Sequence, residues 1–230
     1  MLPPEGPLDQ VVVFSGGDRP HPGVVAHLPA RPLAVIAADS GLDHARALGW
    51  AVDIVVGDFD SVSAEGLAAA TREGITQDRH PRAKDHTDLE LALERAWHHP
   101  GVGAVVVVAS AIGRFDHALS AAMALALPSG AAVRTSGWFG RAELVVVRPH
   151  LPWELDGPPG SLLTLVALHG EARGVVTSGL RYPLAAETLL PSSTRGVSNE
   201  LAGGPASVRL AHGVLLGIRP DVLAPWPEGR

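Results

Sequence analysis

The sequence predicts an α/β fold, a mostly parallel sheet flanked by helices, followed by a smaller antiparallel β domain. Three observations predict it. Short apolar runs alternate with helical periodicity through the first 147 residues. The run Ala104–Val108 is continuously apolar and mostly β-branched, as in a strand buried on both faces of a parallel sheet. Beyond Val147 the pattern changes to short strand-like runs between glycine-containing turns, with no long helical stretch.

The elements follow in order. Val11–Phe14 is an apolar run that ends at Ser15-Gly16-Gly17, and Leu33–Ala38 is a second, ending at Asp39-Ser40-Gly41. A helical stretch over about Leu42–Leu48 leads to Ile54–Val56, which ends at Gly57-Asp58. Ala64–Arg72 reads as a helix. So does Thr87–Trp97, with Leu89, Ala92, Leu93 and Ala96 on one face. Thr87 and Glu90 have the spacing of a capping box at its start. His117–Leu127 is alanine-rich and apolar and reads as a packed helix. Arg148–Gly160, with four prolines and two glycines, reads as a linker. Ser161–Leu168, Gly174–Thr177, Ala206–Ala211 and Val214–Ile218 read as strands. The expected organisation is a catalytic α/β domain over residues 1–147, a linker over 148–160 and a β domain over 161–230.

Composition excludes several functions. Of 230 residues, 46% are apolar and 18% charged, a globular balance. The net charge of −6 argues against sequence-independent nucleic-acid binding, which needs a basic face. There is no cysteine, so disulfides, thiolate metal sites and cysteine nucleophiles are out, which fits a reducing, cytoplasmic setting. The start, MLPPEGPLDQ, has neither a cationic nor an apolar segment of signal-peptide type, and no run is long enough for a membrane span.

The chemistry-bearing residues are mostly aspartates at strand ends. In extended backbone, Asp58 and Asp60 would share one face while Phe59 turns to the core. Two close carboxylates resist joint ionisation unless a cation lies between them, and Mg2+ is the natural one. A plain Asp-rich turn stands beside that reading at about even odds. Lys84-Asp85-His86-Thr87-Asp88 surrounds a helix start. Capping explains one of its carboxylates better than two. Lys84 is the single lysine of the chain and, as a flexible point charge, suits phosphate contact. Asp39 falls at the carboxyl edge of a strand, where open α/β sheets bind ligands, or else caps the next helix. Arg114 could clamp a phosphate, or pair with Asp116 to brace a loop. Ser15-Gly16-Gly17-Asp18 could let backbone approach a nucleotide.

In sequence order, Ala38-Asp39-Ser40-Gly41, Gly57-Asp58-Phe59-Asp60-Ser61, Lys84–Asp88, Ile112–His117 and Val197-Ser198-Asn199-Glu200 resemble the motifs of the thiamine pyrophosphokinase family, from about residue 10 to 218. The resemblance implies an enzyme transferring pyrophosphate from ATP to the thiamine hydroxyl, with Mg2+, to give thiamine diphosphate and AMP. It also implies a homodimer with active sites between subunits. Carried over residue by residue, Asp39, Asp58, Asp60 and Asp88 are the acidic catalytic positions, with Asp58, Asp60 and Asp88 as metal ligands. Lys84, Asp85, Arg114 and Asp116 then lie on the nucleotide side, and Ser198, Asn199 and Tyr182 on the thiamine side. Asp39 or Asp85 could orient or deprotonate the hydroxyl. The chain departs from the family pattern at Ser40, Ala121, Tyr182 (usually Trp) and Gly196-Val197. A related enzyme acting on another alcohol, or a non-catalytic thiamine or nucleotide sensor, remains an alternative. A dehalogenase-like phosphatase also fits Asp58-x-Asp60, but no lysine follows position 84.

Overall fold

The computed structural model describes residues 9–225. The reading of the first eight residues and the expected end of the β domain lie outside them. The chain forms two compact units, Met1–Gly140 and Arg141–Arg230.

In the first unit the strands are β1 (Gln10–Phe14), β2 (Ala34–Ala38), β3 (Ile54–Gly57), β4 (Thr76–Arg79), β5 (Ala104–Ala109) and β6 (Arg134–Phe139). The helices are α1 (Gly41–Ala47), α2 (Ala64–Arg72), α3 (Asp88–Trp97) and α4 (Phe115–Ala124). The strand order is 4-3-2-1-5-6 and every pairing in it is parallel. β2 and β5 are buried at every residue, because β-branched and alanine side chains fill both faces. Leu42, Leu93 and Ile36 are fully enclosed in this core.

The order reverses between β1 and β5. Strands added on one side of β1 and then on the other leave a crevice at their carboxyl ends, where such sheets hold ligands. The backbone N–H of Ser15, just past β1, donates to the Val108 carbonyl of β5 (2.9 Å) and closes the floor of that crevice.

The capping box of α3 is present. The Glu90 N–H donates to Thr87 Oγ1 (3.2 Å), and the Thr87 N–H to Glu90 Oε2 (2.8 Å). α4 departs from expectation. It starts at Phe115, and of its ten residues only Ala124 is buried, with Phe115 77% exposed. An apolar period shows that a stripe exists, not which surface covers it. β4 (Thr-Gln-Asp-Arg) escaped notice because it is a polar strand at the sheet edge.

The second unit contains β7 (Ala142–Val147), β8 (Trp153–Leu155), β9 (Leu162–Ser178), β10 (Ala185–Leu189), β11 (Asn199–Glu200), β12 (Ala206–Arg209) and β13 (His212–Arg219), with no α-helix among the described residues. Its pairings are antiparallel. β9 is one long strand where two were expected. Positive φ at His169 and Gly170 lets it continue through the bend. Its first part pairs with β13, and its last residues with β10 and β12. Trp153, Leu163, Leu165, Val175, Val208 and Leu215 form the core between them.

Two expected boundaries are corrected. β7 lies in the second unit because it pairs with β13, Val147 opposite Leu215, so the first unit ends at Gly140 rather than residue 147. The proline-rich segment is not only a linker. Trp153–Leu155 pairs with β12, and the Trp153 ring lies over the bare Cα of Gly217. A strand this short carries too little pattern to outweigh four surrounding prolines.

Candidate active site

Three carboxylates meet at the carboxyl edge of the first sheet. One oxygen from each of Asp39, Asp58 and Asp60 lies within 4.8 Å of the others. Asp39 follows β2 in left-handed backbone (φ 49°), an uncommon choice for a residue other than glycine but one that aspartate tolerates. The residue is 8% exposed. The Ser61 hydroxyl donates to Asp39 Oδ2, while Oδ1 is buried with no hydrogen-bond partner. Burial pushes the Asp39 carboxyl up from its ordinary pKa. The Ser61 bond opposes that shift, and the charges of Asp88, Asp58 and Asp60 add to it.

Asp58 and Asp60 are brought together by a turn, not by the extended strand that their spacing suggested. β3 ends at Gly57 (φ 144°), and Phe59 takes φ 66°. Phe59 is buried as expected, with the Arg79 guanidinium 4.8 Å above its ring. The Asp60 N–H donates to Asp58 Oδ1 (3.1 Å), an Asx turn. That bond, aided by the nearby Lys84 charge against a small burial cost, lowers the Asp58 carboxyl.

Asp88, the first residue of α3, stands next to this group. A Cβ on Gly57 would come 2.9 Å from Asp88 Oδ1 and 3.4 Å from Asp39 Cβ, so the bare glycine makes room for both. Lys84 Nζ lies 3.0 Å from Asp88 Oδ1 and 3.5 Å from Asp58 Oδ2. Burial disfavours its charge, but Asp88 and Asp58 outweigh burial and hold the lysine pKa up. The lysine expected on phosphate is thus engaged by carboxylates. The third member of the tight trio is Asp39 rather than Asp88. Asp85 is exposed and does not line the cavity described next.

A cavity of about 970 Å³ opens beside these carboxylates. Its wall includes Ser15–Asp18, Asp39, Asp60, Asp88, Ser110, Arg114 and Asp116, so four of the five motif segments and the Gly-Gly loop contribute or adjoin it. Ser40, where the family pattern has glycine, turns its hydroxyl to the loop and accepts from the Gly17 N–H (3.4 Å). Arg114 makes a two-pronged pair with Asp116, Nε to Oδ1 at 3.2 Å and Nη2 to Oδ2 at 2.5 Å. That pairing holds the Asp116 carboxyl down at about 2.

In the second unit, Asn199 is spent on the turn that carries Tyr182. Asn199 Nδ2 donates to the Tyr182 carbonyl (2.7 Å), and Asn199 Oδ1 accepts from the N–H groups of Tyr182 (3.1 Å) and Glu200 (2.9 Å). Asn199 is buried; Tyr182 is exposed beside Arg181. Ser198 holds left-handed backbone (φ 57°), and its N–H donates to Thr164 Oγ1 (3.2 Å). Gly196 has no room for a side chain, since a Cβ there would meet the Leu165 carbonyl. Sequence reasoning gave no role to Ser61 or Gly57. Ser61 stood inside a quoted motif, but its partner is 22 positions away.

Two family profiles match. The catalytic domain of thiamin pyrophosphokinase covers residues 26–134, and the vitamin B1 binding domain of thiamin pyrophosphokinase covers 153–215. The chain belongs to the thiamin pyrophosphokinase family. The family match makes it an enzyme of the kinase type, and the carboxylate trio, Lys84, Arg114 and Asp116 all fall within the catalytic match. Tyr182, Ser198 and Asn199 fall within the vitamin B1 binding match. A search of curated protein sequences found no match.

Among solved structures, the thiamine pyrophosphokinase of Bacillus subtilis is similar in fold, with a TM-score of 0.78 at 20% identity, covering 93% of this chain and 100% of that one. The Geobacillus thermodenitrificans protein gives a TM-score of 0.74 at 21% identity, over 91% and 96% of the two chains. The Candida albicans protein gives 0.73 at 13% identity, over 93% and 90%. At these identities the likeness is one of fold.

Proposed function

We propose that the protein transfers the pyrophosphoryl group of ATP to the hydroxyl of thiamine, with Mg2+, giving thiamine diphosphate and AMP. The observation that carries this reading is the carboxylate trio, with Asp39 and Asp60 in the wall of a nucleotide-sized cavity and Asp39 Oδ1 buried and unpartnered. Leaving a buried anionic oxygen unpaired is costly, and a cation is the group that would remove the cost. Asp39, Asp58 and Asp60 are the residues that would hold Mg2+. They offer only hard oxygen donors, the set Mg2+ prefers. Bound there, Mg2+ would neutralise phosphate charge and polarise the phosphoryl oxygens.

The chain's own groups do the rest. The Ser15–Asp18 loop lines the cavity at the sheet's switch point, where phosphates are commonly received. Arg114 lines the same wall and can exchange Asp116 for phosphate, since its partner is exposed. Asp39, through the ion it would help hold, is our choice to position the thiamine hydroxyl. Asp88 holds Lys84 against the trio. Phosphoryl-type transfer leaves the protein mainly positioning and charge neutralisation to perform, which suits a rigid cluster on strand ends.

Thiamine is a cation, and the surplus of carboxylates favours its approach. We assign its binding to the second unit on the strength of the vitamin B1 domain match, with Tyr182 as the exposed contact and Asn199 as the residue that fixes the turn beneath it. We assign the reaction to the cytoplasm, where ATP is made available. We also take the working form to be a homodimer. α4 supports this, because it presents Phe115, Leu119 and Met123 to solvent on one stripe.

The test is product identification. Purified protein with ATP, Mg2+ and thiamine should yield AMP and thiamine diphosphate in equal amounts. ADP with thiamine monophosphate, or turnover only with another alcohol from a panel, would contradict the proposal.

A further inference from the structure

Lys84 is the only lysine in a chain with 17 arginines, and it sits where a divalent ion would have to compete with it. Its side chain is 12% exposed. It contacts two carboxylates that are themselves largely shielded, Asp58 at 14% and Asp88 at 25% exposure. Asp58 has no idle oxygen: Oδ1 accepts from the Asp60 N–H, and Oδ2 faces Lys84. Arg82 also pairs with the cluster, through Asp60 at 3.2 Å, but it is 84% exposed and so is strongly screened. Without a metal, four carboxylates (Asp39, Asp58, Asp60, Asp88) crowd one sheet edge, and Lys84 is the shielded positive charge among them.

Resting on the metal reading above, we propose that Lys84 is the resident counter-cation of this centre. It holds Asp58 and Asp88 together while the metal is absent, and it competes with the divalent ion for Asp58. Its chemistry fits that task. A lysine ammonium is a compact charge on a flexible stem, so it can yield one carboxylate and keep the other. An arginine would grip a carboxylate through two parallel bonds and give it up less readily. The ammonium freed from Asp58 remains paired with Asp88, whose Oδ1 lies 3.0 Å away.

The experiment is Mn2+ binding to the full chain without nucleotide, by calorimetry or electron paramagnetic resonance, on wild type, Lys84→Met, Lys84→Arg and Asp58→Asn. The expected order of affinity is Lys84→Met above wild type above Lys84→Arg, with Lys84→Met about tenfold tighter than wild type, the scale of one neighbouring charge removed. In EDTA, Lys84→Met should melt below wild type, and saturating Mn2+ should close that gap. Should Lys84→Met fold poorly, Lys84→Gln keeps hydrogen-bonding capacity without charge and should shift affinity the same way. Equal or weaker Mn2+ binding in the neutral variants, with wild-type binding lost in Asp58→Asn, overturns the role of Lys84 and leaves the metal centre standing. No Mn2+ binding by wild type overturns both.

Discussion

Asp39 takes left-handed backbone, and it combines a buried carboxylate with an unpartnered oxygen, both costly in the absence of a cation. Its folded pKa is raised, so the stability it supports is fully present below the unfolded pKa and is lost as pH rises through the folded one. Asp39→Asn should therefore melt at a higher temperature than wild type in EDTA at pH 8, with the difference shrinking as pH falls toward 4. The same variant should lose activity, because an amide binds the ion poorly. A lower melting temperature for Asp39→Asn at pH 8 would show that the carboxylate is not strained there. Asp58→Asn should reduce turnover by at least about 10²-fold, the scale of several kcal/mol of lost charge stabilisation. Near-normal rates would remove Asp58 from the ligand set. Asp58 and Asp60 were legible as a close pair because they follow an apolar run, although an Asp-rich turn fitted the same residues equally well and is also present. The choice of Asp39 over Asp88 as the third close carboxylate was not legible. It depends on two positive-φ residues, Asp39 and Phe59, that no periodicity encodes.

Among the elements, the turn after β3 makes the site possible. Gly57 combines φ 144° with an Asp88 oxygen 2.9 Å from the place a Cβ would fill. Gly57→Ala should cost at least about 1–3 kcal/mol, measured by denaturant unfolding, and should depress activity further by pushing Asp88 outward. An alanine variant with wild-type stability would place the constraint elsewhere. The α3 capping box is a simpler case. Thr87→Ala should cost about 1 kcal/mol of stability, and Thr87→Ser should restore most of it. Here the sequence was a good guide, because a capping box is local and its four residues are contiguous. β1, β2, β3, β5 and α2 were legible for the same reason, as each carries its own local signal, an apolar run in the strands and a helical pattern in α2. β4 and β8 were not, being respectively polar at an edge and hidden among prolines. α4 was placed within a few residues but its surroundings were misjudged. Whether an apolar stripe is covered depends on partners that the helix's own residues do not specify.

The whole molecule joins two units of different construction, a parallel α/β unit whose strand order reverses at the cavity and an antiparallel β unit. The aspartates are scattered over fifty positions of sequence, yet parallel topology sends every strand's carboxyl end to one edge, so they converge. That convergence was foreseeable from the α/β alternation. The division at Gly140 was not, because β7 looks like a further parallel strand until its antiparallel partner β13 is known. Crystals grown with Mn2+ and measured at the manganese edge would show where the divalent ion resides. One anomalous peak about 2.2 Å from oxygens of Asp39, Asp58 and Asp60 is the predicted result. A chain free of bound Mn2+ at that edge, or an ion held by other side chains with these three carboxylates turned apart, would contradict it.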